Sequence, residues 1–426
     1  MRTLFRHLPT VLPLTLLLAS PARGRAADWP QWRGPDRSDV SRETGLLKEW
    51  PAGGPRRVWL YKNAGNGYSG PAIAKGRLFT MGTRDGAEIL LALNADTGAE
   101  LWATRIGPIL QNGWGDGPRG TPAVDGDRVY GLGGQGNLVC ARVASGKVLW
   151  QQSMQDLGGK TPSWGYTESV LVDGDRVLCT PGGNNGAIAA LDKMTGKLLW
   201  QSKEFTDGAQ YASIVPWDHN STRQYVQLTK DHVVAVSAQD GKMLWQSPFP
   251  GRTAVIPTPI CDDDRVYVTA SYGAGCKLLK IGADHQVSEV YANQVMKNHH
   301  GGVVLVGDSI YGHSDGVGWL CQGFKTGKEI WSEKEELGKG ALSCADGMLY
   351  CLEESSGTVA LVEASPKGWK ERSRFKLEPQ SNIRNPQGRI WTHPVISNGD
   401  LYLRDQDLIY CYDVRQGQSQ TKPTPP

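Results

Sequence analysis

One pattern recurs along the chain: an apolar stretch, a turn that contains glycine, and a second stretch that ends in tryptophan. In five copies the glycine precedes the tryptophan by four residues, and these copies end at Trp102, Trp150, Trp200, Trp245 and Trp331. The last interval is about twice the others, so a degenerate copy is expected within it, with Tyr291 in the tryptophan position. Repetition at a nearly fixed period indicates a fold of similar units that bury their faces against one another.

Each copy has the composition of a β-hairpin, because two apolar strands flank a turn in which glycine tolerates a positive φ. A second hairpin lies upstream in most units, at turns such as Lys75-Gly76 and Asp125-Gly126. Eight units of four antiparallel strands, repeating every ~45 residues, are typical of a β-propeller. The sequence therefore predicts an all-β fold, an eight-bladed propeller with four-stranded antiparallel blades over residues 57–416.

The two ends of the predicted propeller complement each other. The last unit has three clear strands, the third at 408–414, and a spare strand lies at 57–61 near the N-terminus. We expect the spare strand to complete the last blade, because pairing would remove an exposed sheet edge. A large ring at a fixed place in each outer strand can pack against the next blade. A structural docking role is therefore assigned to Trp59, Trp102, Trp150, Trp200, Trp245 and Trp331.

The termini are expected to lie outside the propeller. Arg2 and Arg6 precede a short apolar run at 11–19, and small residues follow it, which predicts a cleaved signal peptide at 1–26. The mature chain is then exported, periplasmic or secreted, and has no transmembrane segment, since the run is about half of the ~20 residues that a membrane helix needs. No cysteine lies near the cleavage region, so a lipoprotein is not expected. Residues 27–56 form an N-terminal lead-in and 417–426 a disordered tail.

Charge and cysteine usage narrow the class of protein. Removing the four arginines of residues 1–26 changes the formal net charge from +3 to −1, which leaves no electrostatic basis for binding nucleic acid. Three of the eight cysteines, Cys140, Cys321 and Cys411, stand six residues before the turn glycine, where other units have alanine. Such cysteines are expected to be small buried residues. The chain has no Cys-x-x-Cys pair, and no metal site is predicted.

The repeated segments, such as IAALDKMTGKLLW ending at Trp200, resemble the pyrroloquinoline-quinone-like repeat family. That family includes quinoprotein alcohol dehydrogenases and the propeller subunit of the bacterial outer-membrane barrel-assembly machinery. The segment DWPQWRGP at 28–35 also looks like the lead-in of exported bacterial members. The resemblance covers about residues 57–416 and implies the propeller fold, whereas one fold hosts many activities.

Two functions are compatible with these observations. The first is a non-catalytic binding scaffold of the cell envelope, with a protein or peptide partner or a small anionic or sugar ligand, and with no cofactor and no catalytic residue. The alternative is a quinoprotein alcohol dehydrogenase, for which the resemblance implies pyrroloquinoline quinone, calcium and a vicinal disulfide. The chain has no Cys-Cys dipeptide, and no Glu/Asn/Asp set maps onto the calcium ligands. The scaffold is therefore favoured.

A candidate site follows from aligning the units on their hairpin turns. The innermost strands bring charged, imidazole and aromatic residues to one mouth of the central channel, namely Tyr68, Arg119, Tyr166, Glu168, Tyr211, His300, Trp391 and His393. Convergent polar and aromatic groups at a concave mouth predict a ligand site. The alternative is that these residues are polar because water fills the channel.

Three expectations accompany this candidate site. Arg119 would keep a neighbouring Glu168 ionised. The imidazoles of His300 and His393 would titrate near neutrality, so anion binding would strengthen as the pH falls. Only one of His299 and His300 would face the channel, because adjacent residues of a strand point to opposite faces.

Two Gly/Pro-rich loops lie between units, at 109–120 and 158–165. Each carries a tryptophan at its tip, Trp114 and Trp164, and neither tryptophan stands in the repeated position. Exposed tryptophan in a loop is a candidate recognition element. Support of the neighbouring loop is the alternative role.

Overall fold

The computed structural model of the protein describes residues 28–417. The predicted signal peptide at 1–26 and residues 418–426 of the predicted tail lie outside the described residues. The described part of the chain forms strands and turns only, in eight sheets of four or five strands. Between residues 28 and 417 there is thus no helix with the length and apolar character to cross a membrane.

Two strands precede the first complete blade, β1 (Val40–Ser41) and β2 (Arg56–Tyr61). Blade 1 comprises β3 (Ala72–Ala74), β4 (Arg77–Arg84), β5 (Ala87–Asn94) and β6 (Glu100–Pro108). Blade 2 comprises β7 (Ala123–Asp125), β8 (Arg128–Leu132), β9 (Asn137–Arg142) and β10 (Val148–Ser153). Blade 3 comprises β11 (Leu171–Asp173), β12 (Arg176–Cys179), β13 (Ala189–Asp192) and β14 (Leu198–Gln201). Blade 4 comprises β15 (Val215–His219), β16 (Thr222–Leu228), β17 (His232–Ser237) and β18 (Met243–Pro248).

Blades 5 to 8 follow the same order from the channel outward. Blade 5 comprises β19 (Ile260–Asp262), β20 (Arg265–Ala270), β21 (Gly275–Ile281) and β22 (Val287–Asn293). Blade 6 comprises β23 (Val303–Val306), β24 (Ser309–Ser314), β25 (Gly318–Gly323) and β26 (Glu329–Glu333). Blade 7 comprises β27 (Gly340–Ala345), β28 (Met348–Glu353), β29 (Thr358–Glu363) and β30 (Glu371–Lys376). Blade 8 has β31 (Val395–Ser397), β32 (Asp400–Asp405) and β33 (Leu408–Asp413), and each blade is antiparallel throughout.

Blade 8 is completed by a strand from the other end of the chain. β2 pairs antiparallel with β33, with Trp59 opposite Cys411 and Tyr61 opposite Ile409. The eight-bladed fold and the predicted closure by the N-terminal strand are thus confirmed. Closure covers the sheet edge that blade 8 would otherwise expose, so that no blade lacks its outer strand.

The repeated aromatic residues lie on the turn glycine of the following blade. A Cβ at Gly98 would lie 2.7 Å from the Trp59 ring, and one at Gly196 would lie 2.6 Å from the Trp150 ring. These glycines also have positive φ, so a side chain there would meet both a steric and a conformational cost. The same contact joins Trp102 to Gly146, Trp200 to Gly241, and Tyr291 to Gly327.

The remaining two tryptophans of the pattern, Trp331 and Trp245, are held by indole hydrogen bonds instead of a contact with a turn glycine. Trp331 donates its indole N–H to the Ser365 carbonyl in blade 7, at 2.9 Å. Trp245 donates to Gln224 of its own blade, at 2.8 Å. Blade 7 has Arg374 rather than tryptophan at the corresponding place, opposite Ala360.

The strand partner of each tryptophan is small. The residues opposite the six tryptophans are Ala92, Cys140, Ala190, Ala235, Cys321 and Cys411. The predicted register of the cysteines is therefore correct, and all eight cysteines are free thiols. A small buried residue here leaves room for the indole of the same blade to reach its neighbour.

The N-terminal lead-in is an integral part of the propeller core. Residues 29–47 run through the central channel and hydrogen-bond to the innermost strands. Trp29 exchanges two backbone hydrogen bonds with Ile73 of blade 1, and the Pro30 carbonyl accepts from Val124 of blade 2. β1 then pairs in parallel with β27 of blade 7, on the channel side of that sheet. Sequence reasoning predicted a lead-in without predicting this position.

Two arginines of this segment are fully buried and bind carbonyl oxygens of the surrounding blades. Arg37 donates to the carbonyl oxygens of Val170 and Ile214, at the entries to blades 3 and 4, at 2.5 and 2.6 Å. Arg33 donates to the Val303 carbonyl of blade 6 at 2.6 Å and pairs with Asp39 at 3.0 Å. Guanidinium groups offer five donors, so one side chain can link several blades at once.

The backbone of the segment is strained where these contacts are made. Arg33, Arg37 and Asp39 have φ values of 61°, 53° and 58°, a region that non-glycine residues rarely occupy. Such conformations persist where the surrounding structure determines them, at a cost of order 1–3 kcal/mol each. The hydrogen bonds from the blades therefore hold the segment in one conformation.

The first prediction concerns this segment. Arg33→Ala is expected to reduce the free energy of unfolding by about 3–5 kcal/mol, because the buried Asp39 carboxylate loses its guanidinium partner and keeps the His393 imidazole at 2.9 Å. Urea denaturation measures the change. Arg42→Ala is the control, since Arg42 forms an ion pair with Asp36 while 73% exposed, and a change within about 0.5 kcal/mol is expected. Equal losses in the two variants would contradict the prediction.

The second prediction concerns the repeated tryptophans. Trp150 is 9% exposed and donates to the Lys193 carbonyl of blade 3 at 3.0 Å. Trp150→Ala should therefore cost about 3–5 kcal/mol of stability, the range for emptying a buried aromatic site. Trp114→Ala, at a residue 46% exposed, should cost far less in the same denaturation experiment. Small, equal losses would show that the repeated tryptophans do not hold neighbouring blades together.

Candidate functional site

A pocket lies where the central channel opens on one face of the propeller. The loops that form it lead from the outer strand of one blade to the inner strand of the next, for example 109–122 and 154–170. Its volume is about 210 Å³. Trp32 and Arg33 of the N-terminal segment also line it. Because that segment occupies the channel, the pocket is a cup with a floor rather than an open pore.

Most of the predicted mouth residues meet in this pocket. Six of the eight line it: Tyr68, Arg119, Tyr211, His300, Trp391 and His393. Tyr166 and Glu168 lie outside it and are almost fully buried. Their neighbours Thr167 and Ser169 line the pocket instead. The alternation of side chains along extended backbone explains the difference, since Tyr166 and Glu168 flank Thr167 and point to the other side of the chain.

Glu168 is bound within the propeller wall. It accepts hydrogen bonds from the backbone N–H and the hydroxyl of Thr180, at 2.7 and 2.9 Å. Burial raises the pKa of Glu168 to about 7, while Arg37 of the N-terminal segment opposes the shift. The expectation that Arg119 keeps this carboxyl ionised is wrong, because the nearby guanidinium is that of Arg37 and burial outweighs it.

Five rings form a continuous wall along one side of the pocket. Successive ring centroids are 4.9 Å apart from Tyr68 to Trp391, 4.5 Å from Trp391 to His300, 3.7 Å from His300 to His299, and 4.9 Å from His299 to Tyr272. Trp391 and His300 are stacked at 23°. The indole N–H of Trp391 donates to Glu354 at 3.1 Å, which fixes the orientation of the ring.

The two loop tryptophans complete the lining. Trp114 and Trp164 both line the pocket, and the Trp164 ring lies 5.8 Å from that of Tyr211. Arg119 donates to the carbonyl of Trp164 at 2.8 Å and to that of Gly115 at 2.9 Å. The guanidinium therefore fastens both loops and contributes positive charge to the pocket. The two roles considered for these tryptophans, recognition and support, are thus compatible.

The histidines differ from expectation in two respects. Both His299 and His300 line the pocket, because they belong to a loop that ends before β23 and not to a strand. Burial lowers the pKa of His299 to about 4 and that of His300 well below its usual range, with Lys339 adding to both shifts. His300 is therefore neutral near pH 7, and the expected strengthening of anion binding through its protonation is wrong.

Sequence reasoning missed several residues of the site. Trp32 and Arg33 lie in the DWPQWRGP segment, which was noted only as a resemblance. Tyr272 reaches the pocket from the turn between β20 and β21, and Glu354 contacts Trp391 from behind the wall. Only the unusual density of aromatic and charged residues in the N-terminal segment could have drawn attention to it.

The lining residues do not fit a calcium-held quinone. Calcium takes six to eight oxygen ligands, mainly carboxylate and carbonyl groups. No Asp, Glu, Asn or Gln is among the residues that line the pocket. Between residues 28 and 417 no group of three or more His, Cys, Asp or Glu side chains is placed to hold a metal ion. The pocket is instead suited to aromatic contact and to hydrogen-bond donation.

Comparison of sequences identifies a repeat family. The family model for the outer membrane protein assembly factor BamB matches residues 85–333, more than half of the chain. BamB of Moranella endobia is 28% identical over 224 residues, which are 51% of this chain and 52% of that protein. Tetrathionate hydrolase of Acidithiobacillus ferrooxidans is 24% identical over 207 residues, which are 46% and 39% of the two chains. The chain thus spans about half the length or less of these curated relatives.

Comparison of structures identifies the fold. BamB from Moraxella catarrhalis superposes with a TM-score of 0.62 at 16% identity, over 85% of this chain and 98% of the other. Quinohemoprotein alcohol dehydrogenase from Comamonas testosteroni superposes with a TM-score of 0.60 at 11% identity, over 93% and 82%. At these identities the similarity establishes a common propeller fold and does not extend to activity.

The third prediction concerns the buried carboxyl of Glu168. The folded protein keeps this proton up to about pH 7, whereas an unfolded glutamic acid releases it near pH ~4.3. This group therefore lowers the free energy of unfolding as the pH rises from about 4.5 to 7, by up to ~3 kcal/mol. Glu168→Gln should remove that loss, since an amide can accept from the backbone and donate to the hydroxyl of Thr180.

Urea denaturation at several pH values tests this prediction. The difference in unfolding free energy between Glu168→Gln and the wild type should grow in favour of the variant from pH 5 to pH 7.5. The exposed residue Glu335 supplies the control, and Glu335→Gln should follow the wild type at every pH. Parallel curves for Glu168→Gln and the wild type would contradict the assignment.

Proposed function

The chain belongs to the family of the outer membrane protein assembly factor BamB, and we propose that it is a non-catalytic binding protein of the cell envelope that takes a small ligand into the loop-face pocket. The observation that carries the proposal is the cup itself. Seven of the eight loops that enter the blades contribute to it, and the N-terminal segment closes its base. Concave, mostly apolar sites with a few placed polar groups are the usual form of small-molecule sites.

The five-ring wall supports a ligand with a flat apolar body. Trp391 presents an indole ring that is held on one side by His300 and on the other by Tyr68. Aromatic side chains lose little conformational entropy on binding, and offset or edge contacts between rings add about 0.5–1.5 kcal/mol each. The wall is fixed before binding, because Glu354 holds the indole N–H of Trp391 at 3.1 Å. Preorganisation of this kind favours affinity.

The absence of an acidic group from the lining supports binding rather than catalysis. General acid–base or nucleophilic chemistry requires a positioned titratable group within reach of the ligand. The imidazoles of His299 and His300 have strongly lowered pKa values and face Lys339 and each other. The quinoprotein alternative would also need oxygen ligands for calcium, and the lining residues provide only hydroxyl groups and backbone.

A protein partner is the second candidate. The family is named for an outer membrane protein assembly factor, which suggests a protein partner. At the rim of the pocket, Trp114 and Tyr272 are 46% and 43% exposed. Exposed aromatic residues around a concavity can anchor a partner chain. A location in the envelope is proposed with it, on the basis of the predicted signal peptide and the family.

The fourth prediction tests the pocket. Isothermal titration of the mature protein with 2-naphthamide, a neutral flat probe, should detect binding. Trp391→Ala should weaken it at least tenfold, because it removes the centre of the wall, a loss of at least ~1.4 kcal/mol. Trp391→Phe should retain most of the affinity, since it keeps a ring at that place.

Leu198→Ala is the control for this titration. Leu198 is 48% exposed on β14 and lies outside the pocket, so the variant should bind like the wild type. Thermal melts of all variants establish that they are folded. If the wild type does not bind the probe, or if Trp391→Ala binds it unchanged, the proposed use of the pocket is wrong and the protein-partner candidate gains support.

A further inference from the structure

One part of the pocket wall contains a polar network that the closure of the fold does not require. It consists of Tyr272 and His299, which line the pocket, with Lys339 and Asp315 behind them. The four residues come from blades 5, 6 and 7 and the loops that join them. Buried polar networks with fully assigned partners can orient a single group at a surface.

The hydrogen bonds of this network fix the tautomer of His299. Lys339 Nζ lies 2.8 Å from Asp315 Oδ1 and 2.7 Å from His299 Nδ1. An ammonium group is a donor only, so Nδ1 must accept, and the proton of the neutral imidazole is on Nε2. The imidazole is neutral because burial and the charge of Lys339 lower its pKa to about 4. Nε2–H then donates to the Tyr272 hydroxyl oxygen, 3.0 Å away.

The hydroxyl of Tyr272 is consequently left with its own proton to donate. Its oxygen accepts from His299, and between residues 28 and 417 the hydroxyl has no other hydrogen-bond partner. Burial raises the pKa of Tyr272, which keeps the hydroxyl protonated at neutral pH. A chain of donors that begins at an ammonium group polarises the final O–H and strengthens the hydrogen bond that it can make.

Tyr272 is a bulky residue at a turn position where the backbone has a positive φ. Its φ is 58°, in the left-handed region, which is a genuine outlier for a bulky residue. The side chain is nevertheless 43% exposed at the pocket. Strained residues cluster at ligand sites, where the surrounding contacts enforce them. The turn between β20 and β21 thus places an aromatic ring at the pocket.

The remaining polar groups of the lining favour an anionic group in the ligand. Arg119 supplies a positive charge, and no acidic side chain lines the pocket to balance it, whereas the charge of Arg33 is already paired with Asp39. A sugar, with as many donors as acceptors, would leave its hydroxyl protons without carboxylate or amide acceptors. A carboxylate accepts only, and hydrogen bonds from donors to a charged acceptor are the strong ones.

We propose that Tyr272 is the specificity-determining donor of the pocket and that the ligand is a flat, apolar carboxylate whose anionic oxygen binds the Tyr272 hydroxyl while its body lies along Trp391. This inference rests on the proposed function and names the ligand class for the same pocket. The chain Asp315, Lys339, His299, Tyr272 orients the donor. Lys339 is a positioning residue in this arrangement, since it acts through the imidazole of His299.

The fifth prediction compares two probes of the same shape. In titrations of the mature protein, 2-naphthoate should bind more tightly than 2-naphthamide. Tyr272→Phe should weaken the binding of naphthoate by about tenfold or more, which is the effect of losing a hydrogen bond to a charged group. The affinity of the same variant for naphthamide should fall at most a few-fold, so the preference for the carboxylate probe should largely disappear. Lys339→Met should reduce the same preference in part, because His299 is then free to change its tautomer.

Tyr61→Phe is the matched control, since it removes a hydroxyl from the outer strand β2, outside the pocket. Equal binding of naphthoate to Tyr272→Phe and the wild type would overturn the role of Tyr272 and leave the proposed function intact. Binding of naphthamide without binding of naphthoate would overturn the ligand class in the same way. Failure of both probes to bind the wild type would overturn this inference together with the proposed function.

Discussion

Eight blades contact one short segment of chain, and the closed ring depends on that contact. Residues 29–47 bind blade 1 through Trp29, blade 2 through Pro30, blades 3 and 4 through Arg37, blade 5 through Trp32, blade 6 through Arg33, blade 7 through β1 and blade 8 through Glu43. A buried backbone carbonyl needs a hydrogen-bond partner. The guanidinium groups supply such partners for carbonyl oxygens of blades 3, 4 and 6. The strained φ values of Arg33, Arg37 and Asp39 are the conformational cost of serving several blades at once.

The outer part of the ring is held by a different and repeated contact. The indole of one blade covers the turn glycine of the next, as Trp150 covers Gly196. The glycine has no side chain to separate the two surfaces, and the small residue opposite each tryptophan leaves space for the ring. Apolar burial at the periphery and charged hydrogen bonding at the centre thus stabilise the same closed arrangement. Closure of blade 8 by β2 connects the periphery with the centre, because β2 lies only a few residues after the central segment.

The pocket follows from these constraints. The N-terminal segment gives it a floor through Trp32 and Arg33, and the loops give it walls of stacked rings. Its electrostatic character comes from burial. The imidazoles of His299 and His300 have lowered pKa values, and the acidic residues Glu168 and Glu354 lie behind the surface. A site with donors and rings but no exposed acid is a site for binding an acceptor. This is the physical basis for assigning a ligand-binding role to the propeller.

The local period of the sequence was sufficient to determine the fold. The glycine four residues before each tryptophan located the outer hairpins, and the spare strand with Trp59 located the closure, because both depend on contacts between adjacent units. Six of the eight candidate mouth residues also reached the pocket, since the hairpin turns set their height in the channel. Tyr166 and Glu168 did not, because they flank Thr167 and successive side chains of extended backbone point to opposite sides. Only the tertiary structure placed residues 29–47 in the channel and brought Tyr272 to Lys339 through His299. Those contacts join residues from distant units, and no periodicity along the chain encodes them.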